Sequence, residues 1–173
     1  LLLRAHELLR DAPALLAHYQ HRFGQILVDE FQDTNAIQYG FIRLLAGATG
    51  QVFVVGDDDQ AIYGWRGAKV ENVQRFLRDF SGAHTIRLEQ NYRSSSTILN
   101  AANAVIAHNS DRLGKKLWTD AGEGELIDLY AAYTEMDEAA YVADRIHQWV
   151  RDGGSRSDAA ILYRSNAQSR AFE

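Results

Sequence analysis

The sequence predicts an α/β fold built around parallel strands, and three observations carry that prediction. Short runs rich in branched apolar residues recur along the chain, as in QILVDE (25–30), QVFVVG (51–56) and AAILYR (159–164). Stretches with helical spacing lie between them, such as ENVQRFLRDF (71–80) and EMDEAAYVADRIHQWVRD (135–152). Cap and turn signals punctuate the joints. Strands alternating with helices imply a parallel sheet whose connections cross over through helices.

The elements follow in order. Residues 1–23 read as two short helices separated near Asp11–Pro13, with the proline in the first turn of the second, where its missing N–H costs nothing. QILVDE is a short branched run, hence a buried strand. Asp33 or Thr34 can cap a helix from about Asn35 to Leu45. GATG (47–50) turns the chain into a second buried strand, QVFVVG. A polar, glycine-bearing loop, DDDQAIYGWRGA (57–68), precedes the helical stretch 71–80. HTIRLE (84–89) is expected to form a third strand, and Ser94–Ser96 to cap a helix through about Ala107. Residues 109–125 are polar and glycine-bearing and predict an irregular surface connection. LIDLYAAY (126–133) is expected as a strand and 135–152 as a long helix ending at Gly153 and Gly154. AAILYR is expected as the last strand.

Composition narrows the class. The chain has 173 residues, 46% hydrophobic and 24% charged, ordinary values for a globular protein. No apolar run reaches the roughly 18 residues of a membrane span, so no membrane partner is expected. Arg4, His6, Glu7 and Arg10 interrupt the early leucines, so residues 1–10 do not read as a signal peptide. Cysteine is absent, which excludes a disulfide framework and a thiolate metal site and fits a reducing cytoplasm. The net charge is −5, spread evenly: residues 1–89 carry 9 basic and 11 acidic residues, and 90–173 carry 9 and 12. This argues against a simple basic clamp on phosphates. Both ends fall inside amphipathic patterns and read as cuts through a longer structure.

Three segments carry chemistry. In parallel α/β sheets, ligands bind at the carboxyl ends of strands, where Asp29 and Glu30 stand. One carboxylate there can hold Mg²⁺ while the metal neutralises phosphate oxygens, and its neighbour can orient or deprotonate the attacking water. Gln32 adds an amide able to donate and accept near phosphate or water. A solvated acidic turn capping the next helix is the competing reading. In the second segment, Gln60 is placed to sense a terminal phosphate or the attacking water. Tyr63, Trp65 and Arg66 form an aromatic–Gly–aromatic–Arg loop that suits single-stranded bases, each stack being worth roughly 1–3 kcal/mol; packing of the loop onto the core is the alternative. The run Asp57–Asp59 lacks calcium-loop spacing and reads as one structural acid beside solvated ones. In the third segment, Arg93 follows a strand and can meet developing phosphoryl charge as an arginine finger, and Tyr92 can stack on a nucleobase. A helix start with surface Tyr and Arg is the alternative. His18 and His21 lie three apart without an evident third ligand and read as helix surface or packing.

Together these strings resemble the UvrD/Rep/PcrA family of superfamily 1 helicases. ILVDEFQDTN (26–35) resembles its Walker B motif, VFVVGDDDQAIYGWRGA (52–68) its third helicase motif and LEQNYRSSSTILNAAN (88–103) its fourth. RLGKKLWTD (112–120) and AILYRSNAQSR (160–170) are similar as well, so the resemblance covers nearly the whole chain. It implies parts of two incomplete RecA-like lobes of P-loop NTPase type that close on ATP and Mg²⁺ and move 3′ to 5′ along single-stranded DNA. Residues 1–23 would end an inserted helical subdomain, 24–89 would be the later part of the first lobe, and 90–173 the early part of the second. By the same resemblance, Asp29 would hold Mg²⁺, Glu30 would be the general base, and Gln60 would contact the γ-phosphate. Tyr63, Trp65 and Arg66 would touch the strand, Tyr92 would stack on adenine, and Arg93 would be the finger. Single-stranded and 3′-tailed duplex DNA, repair or replication proteins, and a bacterial, nucleoid-associated cytoplasmic setting are the implied context.

The phosphate-cradling pattern G-x-x-x-x-G-K-[ST] is missing. GATGQ lacks the lysine, and LGKKLW lacks the glycine spacing and the hydroxyl. The chain alone is therefore expected to be inactive. Two other classes compete: a non-catalytic nucleic-acid or partner-binding module with motor-like loops, and a metal-dependent phosphohydrolase using strand-end aspartates. The second explains neither the aromatic loop nor Arg93.

Overall fold

The computed structural model describes residues 1–110 and 112–173, which form two compact units, Leu1–Gly124 and Glu125–Glu173. The lobe boundary placed after residue 89 from sequence falls inside the first unit.

In the first unit, α1 (Leu2–Asp11) and α2 (Pro13–Arg22) break where expected, with Pro13 at the start of α2. Strand β1 (Gln25–Val28) leads through a short 3-10 turn, Phe31–Asp33, to α3 (Ala36–Ala46). Strand β2 (Gln51–Val54) then pairs parallel to β1, with Gln25 opposite Gln51 and Val28 opposite Val54. This is the α/β crossover that the alternation predicts. The helices α4 (Glu71–Asp79) and α5 (Ser96–Ile106) follow.

The cap of α3 differs from expectation. Asn35, not Asp33 or Thr34, occupies the position: its Oδ1 accepts the Ile37 and Gln38 N–H groups at 3.1 and 3.0 Å. Gln38 Oε1 returns a bond to the Asn35 N–H at 2.8 Å, completing a capping box. Asp33 and Thr34 are taken up by the 3-10 turn and its end, where Thr34 Oγ1 donates to Phe31 O at 2.7 Å.

Phe31, Tyr39 and Phe76 form the core, joined by Val28, Ile42, Val52, Val54, Val73 and Phe80. The rings of Phe31 meet those of Tyr39 and Phe76 edge-on, at 6.0 and 5.6 Å, an arrangement aromatic quadrupoles favour. Tyr39 Oη donates to Asp79 at 2.7 Å and ties α3 to α4. Burial of this phenol, then its bond to Asp79, pushes its pKa well above the ordinary tyrosine value.

The strands are half-buried rather than fully buried. Leu27 and Phe53 point away from the core and are 74% and 61% exposed. Only the Ile26/Val28 and Val52/Val54 face is covered, because helices pack on one side alone. The expected strands at 84–89, 126–133 and 159–164 form no ladder. A strand needs a hydrogen-bonded neighbour for its backbone groups, and the sheet among the described residues has two members. The third expected strand contributes only a bridge at its end, where Trp118 N–H donates to Glu89 O at 3.0 Å and Asn91 N–H to Trp118 O at 2.7 Å.

In the second unit, α6 (Glu135–Arg151) starts on Thr134, whose Oγ1 accepts the Asp137 N–H at 3.1 Å. The segment before it is fastened to α6 by stacking of Tyr130 on Tyr141, 3.9 Å between centroids, and by Arg145 donating to Asp128 at 3.0 Å. A short α7 (Ser169–Phe172) closes the chain. No helix among the described residues is long and apolar enough to cross a membrane.

Candidate functional site

The ladder places the carboxylates. Val55 N–H donates to Val28 O at 2.8 Å and Phe31 N–H to Val55 O at 2.9 Å, so the ends of β1 and β2 stay stitched past the last paired residues. Asp29 and Glu30 leave the sheet there, both exposed. Glu30 has φ 48° and ψ 45° and is the sole non-glycine residue with positive φ among the described residues. This left-handed conformation costs an L-residue roughly 1–2 kcal/mol. Strain of this kind persists only where surrounding contacts enforce it, and it clusters at functional sites.

Backbone bonds flank it, Phe31 N–H to Val55 O and Asp33 N–H to Glu30 O, both at 2.9 Å, and Gln32 holds the Glu30 side chain. Gln32 is 1% exposed. Its Nε2 donates to Glu30 Oε2 at 2.7 Å, and its Oε1 accepts the Asp57 N–H at 2.9 Å. Gly56 makes room for the bridge: a Cβ there would stand 2.8 Å from Gln32 Oε1. Gln60 Nε2 donates to Asp57 Oδ2 at 2.6 Å. A continuous polar chain, Glu30–Gln32–Asp57–Gln60, therefore joins two of the four catalytic candidates across the ends of both strands. Gln32, expected near water or phosphate, is instead an internal brace.

Asp29 Oδ1 accepts the Glu30 N–H at 2.9 Å, leaving Oδ2 without a partner among the described residues. No three His, Asp or Glu side chains among those residues converge on a metal position. One or two carboxylates acting with phosphate oxygens is the usual Mg²⁺ arrangement, so the donors present fit a cation that arrives with a nucleotide. They do not form an independent metal cage. His18 lies on the α2 surface, its ring edge-on to Tyr19.

The three aspartates of the second loop are all engaged, contrary to the expectation of one structural acid beside solvated ones. Asp57 pairs with the Lys115 ammonium. Asp58 Oδ2 accepts the Leu113 N–H at 2.7 Å. Asp59 receives both arms of Arg112, Nε at 2.8 Å and Nη2 at 2.5 Å. Partial burial of the Asp57 carboxyl opposes its ionisation, but the Lys115 ammonium and the Gln60 amide outweigh it and hold its pKa below the ordinary aspartate value.

Farther along the loop, the Arg66 guanidinium sits 4.8 Å from the Tyr63 ring centroid and 4.5 Å from that of Trp65. The two rings are 6.3 Å apart and tilted. Trp65 is 66% exposed, so its ring is open to solvent rather than packed into the core, and Tyr63 is half-buried. Arg93 and Tyr92 are exposed on a separate turn. Asn91 Oδ1 shapes it by accepting the Arg93 and Ser94 N–H groups at 2.9 and 2.8 Å. Tyr92 Oη donates to Gln90 at 2.7 Å. None of the hydrogen bonds among the described residues joins this pair to Glu30 or Gln60.

Two sequence signals bear on this region. Asn35-x-x-Gln38 has capping-box spacing. The basic run Arg112–Lys116 complements Asp57–Asp59 in charge, although no local pattern places residues 53 apart in contact.

Comparison with known proteins matches residues 1–81 to the UvrD/REP helicase N-terminal domain and residues 86–173 to the UvrD-like helicase C-terminal domain. The chain is 67% identical over all 173 residues to DNA helicase II of Escherichia coli (strain K12) and 61% identical to DNA helicase II of Haemophilus influenzae, covering 24% of each. It is 51% identical to the ATP-dependent DNA helicase PcrA of Staphylococcus aureus (strain Mu50), again over the whole chain and 24% of that protein. The chain spans about a quarter of the length of these curated relatives.

Proposed function

The chain belongs to the UvrD/REP helicase family, and from that premise we propose that it serves within an ATP-dependent DNA helicase that moves 3′ to 5′ on single-stranded DNA. The single observation that carries this reading is the polar chain Glu30–Gln32–Asp57–Gln60. It runs from a strained strand-end acid to an amide, and three residues beyond that amide the loop presents Tyr63, Trp65 and Arg66. A sensor of phosphate and a platform for bases on one loop are the minimum that coupling hydrolysis to a DNA strand requires.

In this reading residues 24–89 and 90–173 contribute to two RecA-like lobes, and residues 1–23 end an inserted helical subdomain. Mg²⁺, when bound with ATP, supplies charge neutralisation at the phosphate oxygens. Asp29, whose Oδ2 has no partner among the described residues, would be the residue that holds it. Glu30 takes the proton of the attacking water, and Gln60 orients that water against the γ-phosphate. Arg93 stabilises charge developing on the transferred group, Tyr92 stacks on the base of ATP, and Tyr63, Trp65 and Arg66 hold the strand. The intact enzyme would act on 3′-tailed duplexes in bacterial DNA repair or replication, at the nucleoid in the cytoplasm.

The test compares the full-length protein with the 173-residue chain. The full-length protein is expected to hydrolyse ATP faster with single-stranded DNA and to unwind 3′-tailed but not 5′-tailed duplexes. The chain alone, with no G-x-x-x-x-G-K-[ST] loop to hold phosphates, is expected to show no turnover. Robust hydrolysis by the chain alone would overturn the assignment of roles.

Trp65→Ala in the full-length protein is expected to weaken single-strand binding by about 5- to 150-fold, the equivalent of roughly 1–3 kcal/mol per stacked base. Fluorescence anisotropy with an oligothymidylate reads it out. Basal ATPase should fall far less than DNA-stimulated ATPase, and equal losses would assign Trp65 to packing.

A further inference from the structure

Among the described residues, every hydrogen bond and ion pair joining residues 1–81 to residues 86–124 ends on Asp57, Asp58 or Asp59. The three carboxylates lie in the segment matching the N-terminal family domain. Arg112, Leu113 and Lys115 lie in the segment matching the C-terminal one. We infer that Arg112 and Lys115 are positioning residues for Gln60: reaching from the C-terminal family domain, they set the 57–60 loop so that the Gln60 amide is fixed only while the two domains are in contact.

The geometry of Asp57 makes the link. One carboxylate oxygen, Oδ1, takes the Lys115 ammonium and the Asp59 N–H, the latter at 3.0 Å. The other, Oδ2, takes the Gln60 amide at 2.6 Å. Asp57 is thus the hub through which a cation from one domain orders the amide of the other. Asp59 is gripped on both oxygens by the planar Arg112 fork, a bidentate contact that fixes orientation as well as distance. Arg112 Nη2 also donates to Lys115 O at 3.0 Å, so both cations move as one piece.

Burial gives the clasp its leverage. The Arg112 and Asp59 side chains are 17% and 13% exposed, and those of Lys115 and Asp57 are 18% and 23% exposed. Ion pairs screened this little by water are costly to leave half-made. When the domains separate, three adjacent carboxylates lose their partners together, and their mutual repulsion would release the loop and Gln60 with it.

The inference rests on the functional reading above, and its test separates the two. In the full-length protein, Lys115→Met is expected to lower DNA-stimulated kcat about tenfold or more, since small misplacements of a positioned group have effects of that size. The ATP KM should stay within about twofold, because Gln60 acts on the reacting group rather than on nucleotide capture. Tm should fall, because Asp57 loses its cation, so kcat is compared at temperatures where both proteins are fully folded. Lys115→Arg should keep at least about half of the parental kcat. Asp59→Arg should lose activity similarly, and pairing it with Arg112→Asp should restore most of the loss. Parental kcat in Lys115→Met, or losses that follow Tm with no recovery in the exchanged pair, would overturn the clasp. An unmodified protein without DNA-stimulated hydrolysis would take down the functional reading itself, and the clasp's role with it.

Discussion

Glu30→Gln in the full-length protein is expected to reduce ATP turnover by about 10²–10⁴-fold, the usual contribution of a positioned general base, while ATP still binds. The local structure should tolerate the change. The amide keeps the size of the carboxylate, and its oxygen can still accept from Gln32 Nε2, which now lies 2.7 Å from Glu30 Oε2. Glutamine gains no clash in the left-handed conformation that glutamate already occupies at φ 48°. Proton-accepting capacity is what is lost. Steady-state hydrolysis measured beside equilibrium binding of a fluorescent ATP analogue separates the two effects. Unchanged turnover would remove Glu30 from the base role. Loss of binding together with turnover would mean that its charge serves nucleotide capture instead.

The polarity of this site could be read from sequence because it is local. Two acids at the end of a branched run sit where a parallel strand delivers them, and the run is indeed β1. The break at Asp11–Pro13, the helix at 71–79 and the long helix after Thr134 were equally legible, since a proline sets the first, helical spacing the second and spacing with the Thr134 cap the third. Expectations failed where the outcome depends on distant partners. HTIRLE and LIDLYAAY have strand composition, yet a strand is a relationship between two segments, and neither has a ladder partner among the described residues. The burial of Gln32 follows from Gly56 and Asp57, more than 20 residues away. Asn72 is similar: it is fully buried on α4 and donates to Thr34 O at 2.9 Å, although nothing in ENVQRFLRDF marks that asparagine as internal. The aspartate run looked solvated because its cations arrive from residues 112–115.

Gln32→Leu should produce the largest stability change at the site and a loss of turnover as well. Leucine fits the volume and belongs in a buried position, so the packing of Phe31 and Val54 should survive. Two bonds would not. The Asp57 N–H would lose its acceptor at 2.9 Å, and the Glu30 carboxylate its donor at 2.7 Å. Leaving a shielded donor unpaired costs about 1–3 kcal/mol. Urea unfolding should show that loss as a lower midpoint at unchanged m-value. The functional effect should go beyond stability, because the bond to Glu30 orients its carboxylate and the two bonds together connect it to Asp57 and Gln60. Released, the Glu30 carboxylate can turn away from the position in which the proposed mechanism uses it as a base, so turnover in the full-length protein should fall about 10²-fold at temperatures well below unfolding. Gln32→Glu separates the contributions. It keeps the acceptor for the Asp57 N–H but loses the donor to Glu30 and sets two carboxylates in contact. Stability lost in both variants with turnover retained in either would mean that Gln32 serves the fold alone. Turnover lost in both, measured where each is fully folded, would establish Gln32 as the brace that keeps the base in place.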